Sequence, residues 1–291
     1  MFGIVDYLSD DEKKKFSSSN TVYHYCSCDA FIKIISNREI WLTHSSFMND
    51  YKELKYFDEL VIATGLNKGH KKNLIKEYEK RIKSADLNSY IFCTSYGRDV
   101  LNNWVKYGDN GKGFAIGFNK ESFNFIGDDR VSSIFDNPSL ALSPVKYIDK
   151  NEQIFVENII NMFDKSIKAE KDPFHRNYTV MPILVDELLL LRNFVKNKYF
   201  EDEQECRLLL HNDRAKGGFP TYESVTGELS YRARSDCIVP YYPIKLDSEC
   251  FVKEIVIGPK NCSRVEDIRN FVSKYFSSNE IKVNHSDISY I

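Results

Sequence analysis

Short runs of apolar, aromatic and β-branched residues recur along the chain, each closed by turn-forming residues. They stand at Val22–Tyr25, Ile40–Thr43, Tyr90–Thr94, Gly113–Phe118, Cys206–Leu210, Ile238–Leu246 and Glu254–Gly258. Runs of this length and composition predict strands. Between them the apolar spacing changes to that of helices. Asp29 stands where it can cap a short helix whose Phe31, Ile34 and Ile35 fall at i, i+3 and i+4. Residues 67–84 carry seven Lys/Arg around a narrow stripe of Leu74, Tyr78 and Ile82, the pattern of a solvated surface helix. Residues 151–170 place Ile154, Phe155, Ile159, Met162 and Phe163 at helical spacing. Thr179–Lys198 is apolar on most sides, which predicts a buried helix. A last helix over Val265–Phe276 precedes a closing strand at Ile281–Val283.

No repeat, low-complexity tract or Pro- or Ser-rich linker divides the 291 residues. Strands in bursts, interrupted by helices without strict βαβ alternation, predict one α+β domain over residues 1–291. Its motif-bearing core spans about 20–260, followed by the C-terminal helix and strand within 263–291.

Composition narrows the class. Aromatics make up 14% of the chain, with 18 Tyr and 20 Phe, a load that a disordered chain lacks. The formal charge of -2 excludes a global basic field of the kind non-specific nucleic-acid binders use, and leaves room only for a local basic groove. Seven cysteines scattered without pattern read as reduced thiols of a cytoplasmic protein. The opening Phe2–Val5 is broken at Asp6 and followed by the charged Asp10–Lys15, which predicts no secretory leader. The most apolar segment, Met181–Leu191, carries Asp186 and Glu187 and is too short to cross a bilayer, so no membrane partner is expected.

Several familiar motifs do not fit. Gly108, Gly111, Gly113 and Gly117 match neither GxGxxG nor GxxxxGK[ST], and a strand follows where both need a helix, so they read as a hairpin turn. There is no HExxH and no GxSxG. His24, Cys26 and Cys28 alternate along one predicted strand with no second cluster to complete four ligands, so no metal is expected.

Four segments embed polar residues in apolar strands. The first is Tyr23-His24-Tyr25, whose His24 reads as a hydrogen-bonded core histidine or a ligand contact. The second is Trp41-Leu42-Thr43, running into Asn49, Asp50 and then Glu53, where Asn and Asp also suit an Asx turn. The third is Phe92–Tyr96, followed by a helix whose Trp104 and Tyr107 sit three apart on one face, as core or as a ligand platform. The fourth is Glu201–Arg207. If 203–210 is a strand, Glu203, Glu205 and Arg207 share a face, either as a solvated edge with weak ion pairs or as a working cluster.

The order of these segments resembles the bacterial domain of unknown function 2971 family. Its pattern is an aromatic opening strand, an "lWlt…fND…E" segment, a "cfS" strand, a "W..Y…G..iGF" hairpin and a late "E.E.R". Here they stand at Val22–Tyr25, Ile40–Glu53, Phe92–Ser95, Trp104–Phe118 and Glu203–Arg207, with Arg232, Pro240 and Tyr241 in the later Tyr231–Leu246 segment. That family is in turn similar in layout to ADP-ribosyltransferases. The resemblance implies a split mixed or antiparallel sheet with flanking helices that uses NAD as substrate. It also implies roles. Glu205 matches the catalytic carboxylate and Glu203 its partner. His24 matches a residue that holds the NAD ribose or phosphates, and Cys93-Thr94-Ser95 the strand supporting the nicotinamide. Tyr25, Thr43, Asn49, Ser95, Trp104, Tyr107 and Arg207 are the further NAD-binding candidates. Arg207 would bond the diphosphate or hold the carboxylates. Lys196–Asp202 falls where such enzymes carry a target-recognising loop, with Tyr199 and Phe200 as its exposed aromatics.

The expected function is therefore NAD-dependent transfer of ADP-ribose to a macromolecular acceptor, a protein or an RNA or single-stranded DNA. The resemblance implies a toxin or phage-defence setting, with an antitoxin or chaperone as possible partner. Arg214, Lys216, Arg232 and Arg234 in the polar loop 211–235 suit either single-stranded nucleic acid or solvent. The alternatives are a non-catalytic nucleotide- or partner-binding module on the same fold, and a metal-dependent nuclease or hydrolase using Glu203, Glu205 and Asp50.

Overall fold

The computed structural model describes residues 8–48, 51–64, 70–83, 88–126, 140–149, 154–212, 227–246, 249–276 and 281–290. Helix α1 (Asp10–Ser17) opens with a Ser9–Glu12 capping box and leads into β1 (Thr21–Cys26), α2 (Cys28–Asn37) and β2 (Glu39–His44). Then follow α3 (Tyr51–Thr64), α4 (His70–Lys83), β3 (Asn88–Ser95), α5 (Leu101–Lys106), β4 (Phe114–Asn119), β5 (Leu140–Pro144) and β6 (Lys146–Ile148). The second half holds α6 (Ile154–Ala169), α7 (Pro173–His175), α8 (Met181–Leu191), β7 (Val195–Asn197) and β8 (Glu205–Asn212). It closes with β9 (Ser230–Ala233), β10 (Ile238–Lys245), β11 (Val252–Ile257), α9 (Val265–Val272) and β12 (Lys282–His285). The class is mixed α+β, as the alternation of spacings predicts.

Among the described residues, ten strands form one sheet, antiparallel except for the parallel pair β11–β12. Its central feature is β3. One edge of β3 pairs with β8 along its whole length, from Asn88↔Asn212 to Ser95↔Glu205. The other edge is shared by two strands. β1 meets it only at Tyr23↔Ser95, and β2 only at Thr43↔Ile91 and His44↔Tyr90. The sheet therefore splits, with β1-β4-β11-β12 leaving on one side of the gap and β2-β10-β9 on the other.

One face of the sheet carries the main core, where Val22, Ile40, Leu42, Phe92, Phe114, Ile116, Phe118, Leu208 and Ile255 meet α2 and α9. Phe31 of α2 stacks on Phe114 at 4.0 Å between ring centres. Each such fully buried side chain contributes roughly 1.5–3 kcal/mol of transfer free energy. A second core lies among α3, α4, α6 and α8, around Phe57, Tyr78, Phe163 and Leu188.

Several expectations are corrected here. Ser27, not Asp29, caps α2, accepting the Ala30 N–H, while Asp29 sits in the first turn and pairs with Lys33 at 2.9 Å. Cys28 opens that helix, so His24, Cys26 and Cys28 do not alternate along one strand. Helix α4 is not merely a solvated surface helix: Leu74, Ile75 and Tyr78 are buried in the second core, and the Tyr78 hydroxyl donates to Asp58 at 2.6 Å. Apolar length misled the reading of Thr179–Lys198. The helix covers Met181–Leu191 and gives way to a 3-10 turn at Arg192–Phe194 and to β7, where Val195 favours extended backbone.

The glycines at 108–113 join a helix to a strand rather than two strands. Gly113 allows β1 to pass so close that a Cβ there would lie 2.0 Å from the Cys26 carbonyl oxygen. Lastly, β8 is an interior strand between β3 and β5, not a solvated edge.

Candidate active site

A cavity of about 1020 Å³ follows the split in the sheet. Its floor is the stretch of β3 between the departure points of β1 and β2. There the Cys93 carbonyl faces the gap and His24 fills it. The His24 ring stacks on Phe92 at 4.3 Å, and its Nδ1 lies 2.8 Å from the Cys93 carbonyl oxygen. An acceptor at that position requires Nδ1 to carry the proton, which leaves Nε2 as a bare acceptor. Burial pushes His24 down to about 4, against the partial support of the Cys93 hydrogen bond, and Arg232 adds to the fall. The ring is neutral at physiological pH.

That shift carries a prediction. The unfolded chain takes up a proton on His24 near pH 6.5 while the folded chain resists until about 4. Stability must therefore fall as pH drops through that window, by up to about 3 kcal/mol. Urea midpoints measured from pH 7.5 to 4.5 should show this slope, and His24→Gln should flatten it. An unchanged slope in the variant would place the titration elsewhere.

One end of the cavity gathers carboxylates and cations. Glu203 closes the 3-10 turn Lys198–Glu203, Gln204 takes a left-handed φ of 49°, and the strand starts at Glu205. The two carboxylates thus converge through a kink rather than by strand alternation. Lys196 from β7 reaches both, at 2.5 Å to Glu203 and 3.3 Å to Glu205. Lys106 and the Tyr107 hydroxyl donate to Glu203 Oε1 at 2.7 and 3.2 Å. Arg207 grips Glu205 through Nε at 2.8 Å and Nη2 at 2.9 Å, and donates Nη1 to the Asn193 carbonyl at 2.7 Å. The Glu205 N–H donates to the Tyr147 hydroxyl at 2.8 Å. Glu203, Glu205, Lys196 and Arg207 are all buried. Burial alone pushes the Glu205 carboxyl up, but Arg207 and Lys196 outweigh it and hold the group down at about 2. Three cations face two carboxylates, so this end carries a net positive charge.

The candidate residues divide cleanly. His24, Tyr25, Thr43, Ser95, Tyr107, Glu203, Glu205 and Arg207 line the same cavity. Asn49, like Asp50, lies outside the described residues, as do Arg214 and Lys216. Ser95 works from behind: its hydroxyl donates to the Glu203 carbonyl at 2.8 Å and accepts the Gly97 N–H at 3.1 Å. Trp104 does not reach the cavity. It is fully buried, edge-on to Tyr25 at 4.9 Å, with Nε1 donating to Asp99 at 2.6 Å. Sharing a helix face with Tyr107 therefore does not put both rings on the ligand side. Tyr199 is 93% exposed, but Phe200 lines the cavity, with the ammonium groups of Lys106 and Lys196 at 5.0 and 4.7 Å from its ring centre.

Sequence reasoning missed Lys106, Lys196 and Tyr147. A lysine following Phe194-Val195 gave one usable signal, since a charge inside an apolar run needs a buried partner. No group of three or more His, Cys, Asp or Glu among the described residues could hold a metal ion. No described helix is long and apolar enough to cross a membrane.

The chain matches no curated protein and no solved structure. The carboxylate–cation end, by contrast, falls within a known family pattern. Lys106, Tyr107, Lys196, Glu203, Glu205 and Arg207 all lie in the span that matches, whereas His24, Trp41 and Arg232 lie outside it. Residues 103–208 match the family model described as "Protein of unknown function (DUF2971)".

Proposed function

We propose that this chain is an NAD-consuming ADP-ribosyltransferase acting on a macromolecular acceptor, built on a split sheet of the ADP-ribosyltransferase kind. The observation that carries the reading is the pair Glu203/Glu205, buried and held by lysine and arginine side chains at the end of a cavity that runs along a split in the sheet. Breaking the nicotinamide–ribose bond sends the bonding electrons out with nicotinamide and leaves positive charge on the ribose ring. Glu205, fixed by Arg207, is the carboxylate to stabilise that charge. Glu203 takes the acceptor's proton as the acceptor bonds to the ribose carbon. His24 Nε2 is available to a ribose hydroxyl, and the Tyr107 and Phe200 rings offer faces for nicotinamide. Arg207 is spent on Glu205 and Asn193, which supports a positioning role over a diphosphate contact.

The test is nicotinamide release from NAD, followed by chromatography with and without cell extract as acceptor source. Glu205→Gln should lower the rate about 10²–10³-fold, the usual loss for a group aimed at developing charge. Equal rates in wild type and variant would sink the reading. A second reading, nucleotide binding without turnover, draws support from the three cations that already neutralise both carboxylates. It requires NAD to bind and no nicotinamide to appear in either arm.

A further inference from the structure

The far end of the cavity has a different chemistry from the carboxylate end. Trp41 and Thr43 of β2 and Tyr241 of β10 lie on one face of the sheet, since Tyr241 pairs with Thr43 and Trp41 is two residues along. The Trp41 and Tyr241 rings stack at 4.4 Å, with an interplanar angle of 30°. On the edge strand β9, Ser230 pairs with Tyr241, so Arg232 projects to the same face. Its Nη2 donates to Thr43 Oγ1 at 3.0 Å, and its guanidinium carbon lies 5.5 Å from the centre of the Trp41 ring. Arg234, two residues on, donates to the Phe47 carbonyl at 3.1 Å and faces the same space. No carboxylate among the described residues lies within ion-pair distance of Arg232.

We propose that Trp41, Thr43, Arg232 and Arg234 form a phosphate-binding subsite that takes a phosphorylated, base-bearing ligand at this end of the cavity. A guanidinium held by a neutral hydroxyl keeps most of its donors for an incoming anion, and its planar fork suits two phosphate oxygens. Partial burial and the like charge of Arg234 both press the Arg232 guanidinium below its ordinary value. An anion between the two arginines relieves that repulsion. The half-buried aromatic pair beside them offers a stacking surface to the attached base, which is sequence-tolerant because every base has a π-face. The lining charges agree: six Lys/Arg against four Asp/Glu leave the cavity cationic. The phosphate has two possible sources, a free nucleotide or the phosphodiester of a single strand.

The subsite does not depend on NAD cleavage, so ADP serves as the probe. Binding of ADP, adenosine and an oligo(dT) ten-mer is measured by calorimetry on the full chain, for wild type, Arg232→Met, Arg232→Lys and Arg234→Met. Thermal melts check each fold. Wild type should bind ADP, and Arg232→Met and Arg234→Met should each weaken it at least 10-fold while leaving any adenosine binding unchanged. Arg232→Lys should recover part of the loss and no more. The ten-mer binding more tightly than ADP, with displacement of one by the other, assigns the phosphate to a single strand; the reverse order assigns it to a free nucleotide. No binding of either phosphate probe, or ADP binding indifferent to both arginine changes, overturns the proposal. Nicotinamide release can fail while ADP binding succeeds, so the two readings fail separately.

Discussion

Arg207→Met is expected to cost about 3–5 kcal/mol of folding stability, the usual result of removing one partner from a buried ion pair. Arg207 is buried beside Glu205, which it holds through two hydrogen bonds of 2.8 and 2.9 Å. With the guanidinium gone, Glu205 keeps Lys196 at 3.3 Å and the Cys93 thiol, and the Asn193 carbonyl loses its 2.7 Å donor. The carboxylate then sits in a low-dielectric site with too little compensation. The double variant Arg207→Met, Glu205→Gln should recover much of the loss, because no uncompensated charge remains. Urea denaturation of wild type, Arg207→Met, Glu205→Gln and the double variant gives the coupling directly. A single variant as stable as wild type would mean that Glu205 is better solvated than its burial indicates. The double variant also separates structure from chemistry: it should fold yet fail to release nicotinamide.

Trp104→Ala should cost a similar amount, about 3–5 kcal/mol, because it empties a fully enclosed indole site. The loss is not confined to α5. Trp104 Nε1 donates to Asp99, and the same carboxylate accepts the Ser286 hydroxyl at 2.8 Å and the Asp287 N–H at 2.7 Å. The indole thus braces the point where the C-terminal segment joins the body. Trp104→Phe keeps an aromatic ring in the site but gives up one hydrogen bond and part of the packing, a cost of about 2 kcal/mol. Ligand affinity measured on folded Trp104→Phe should match wild type. Lost affinity with intact folding would return Trp104 to the list of ligand contacts.

Eight strand segments and four of the main helices were legible because their residues alternate or repeat with the period of the element they form. The split in the sheet was expected only from the family resemblance and not from the residues themselves, since it depends on which two strands share an edge of β3, and pairing leaves no mark in local composition. At the site, Glu203, Glu205 and Arg207 were legible as a cluster, but their burial was not. Alternating charges read as a solvated edge until the neighbours on both sides are known, and β5 and β3 cover both sides of β8. Lys196 and Lys106 come from other elements, and only the fold brings them to the carboxylates. Trp104 shows the reverse error, in which a helical spacing that fits a ligand platform fits a core equally well.

The split sheet also sets a schedule for synthesis. Strand β2 ends at His44, yet apart from two residues of β3 its sheet partner is β10, at Ile238–Lys245. At about 5–20 residues per second, roughly ten to forty seconds separate the emergence of the two strands from the ribosome. Through that interval the growing chain holds β2 with most of one edge unpaired. Two ribosomes close together on one message would present the same open edge twice, and pairing between the nascent chains would compete with the native register.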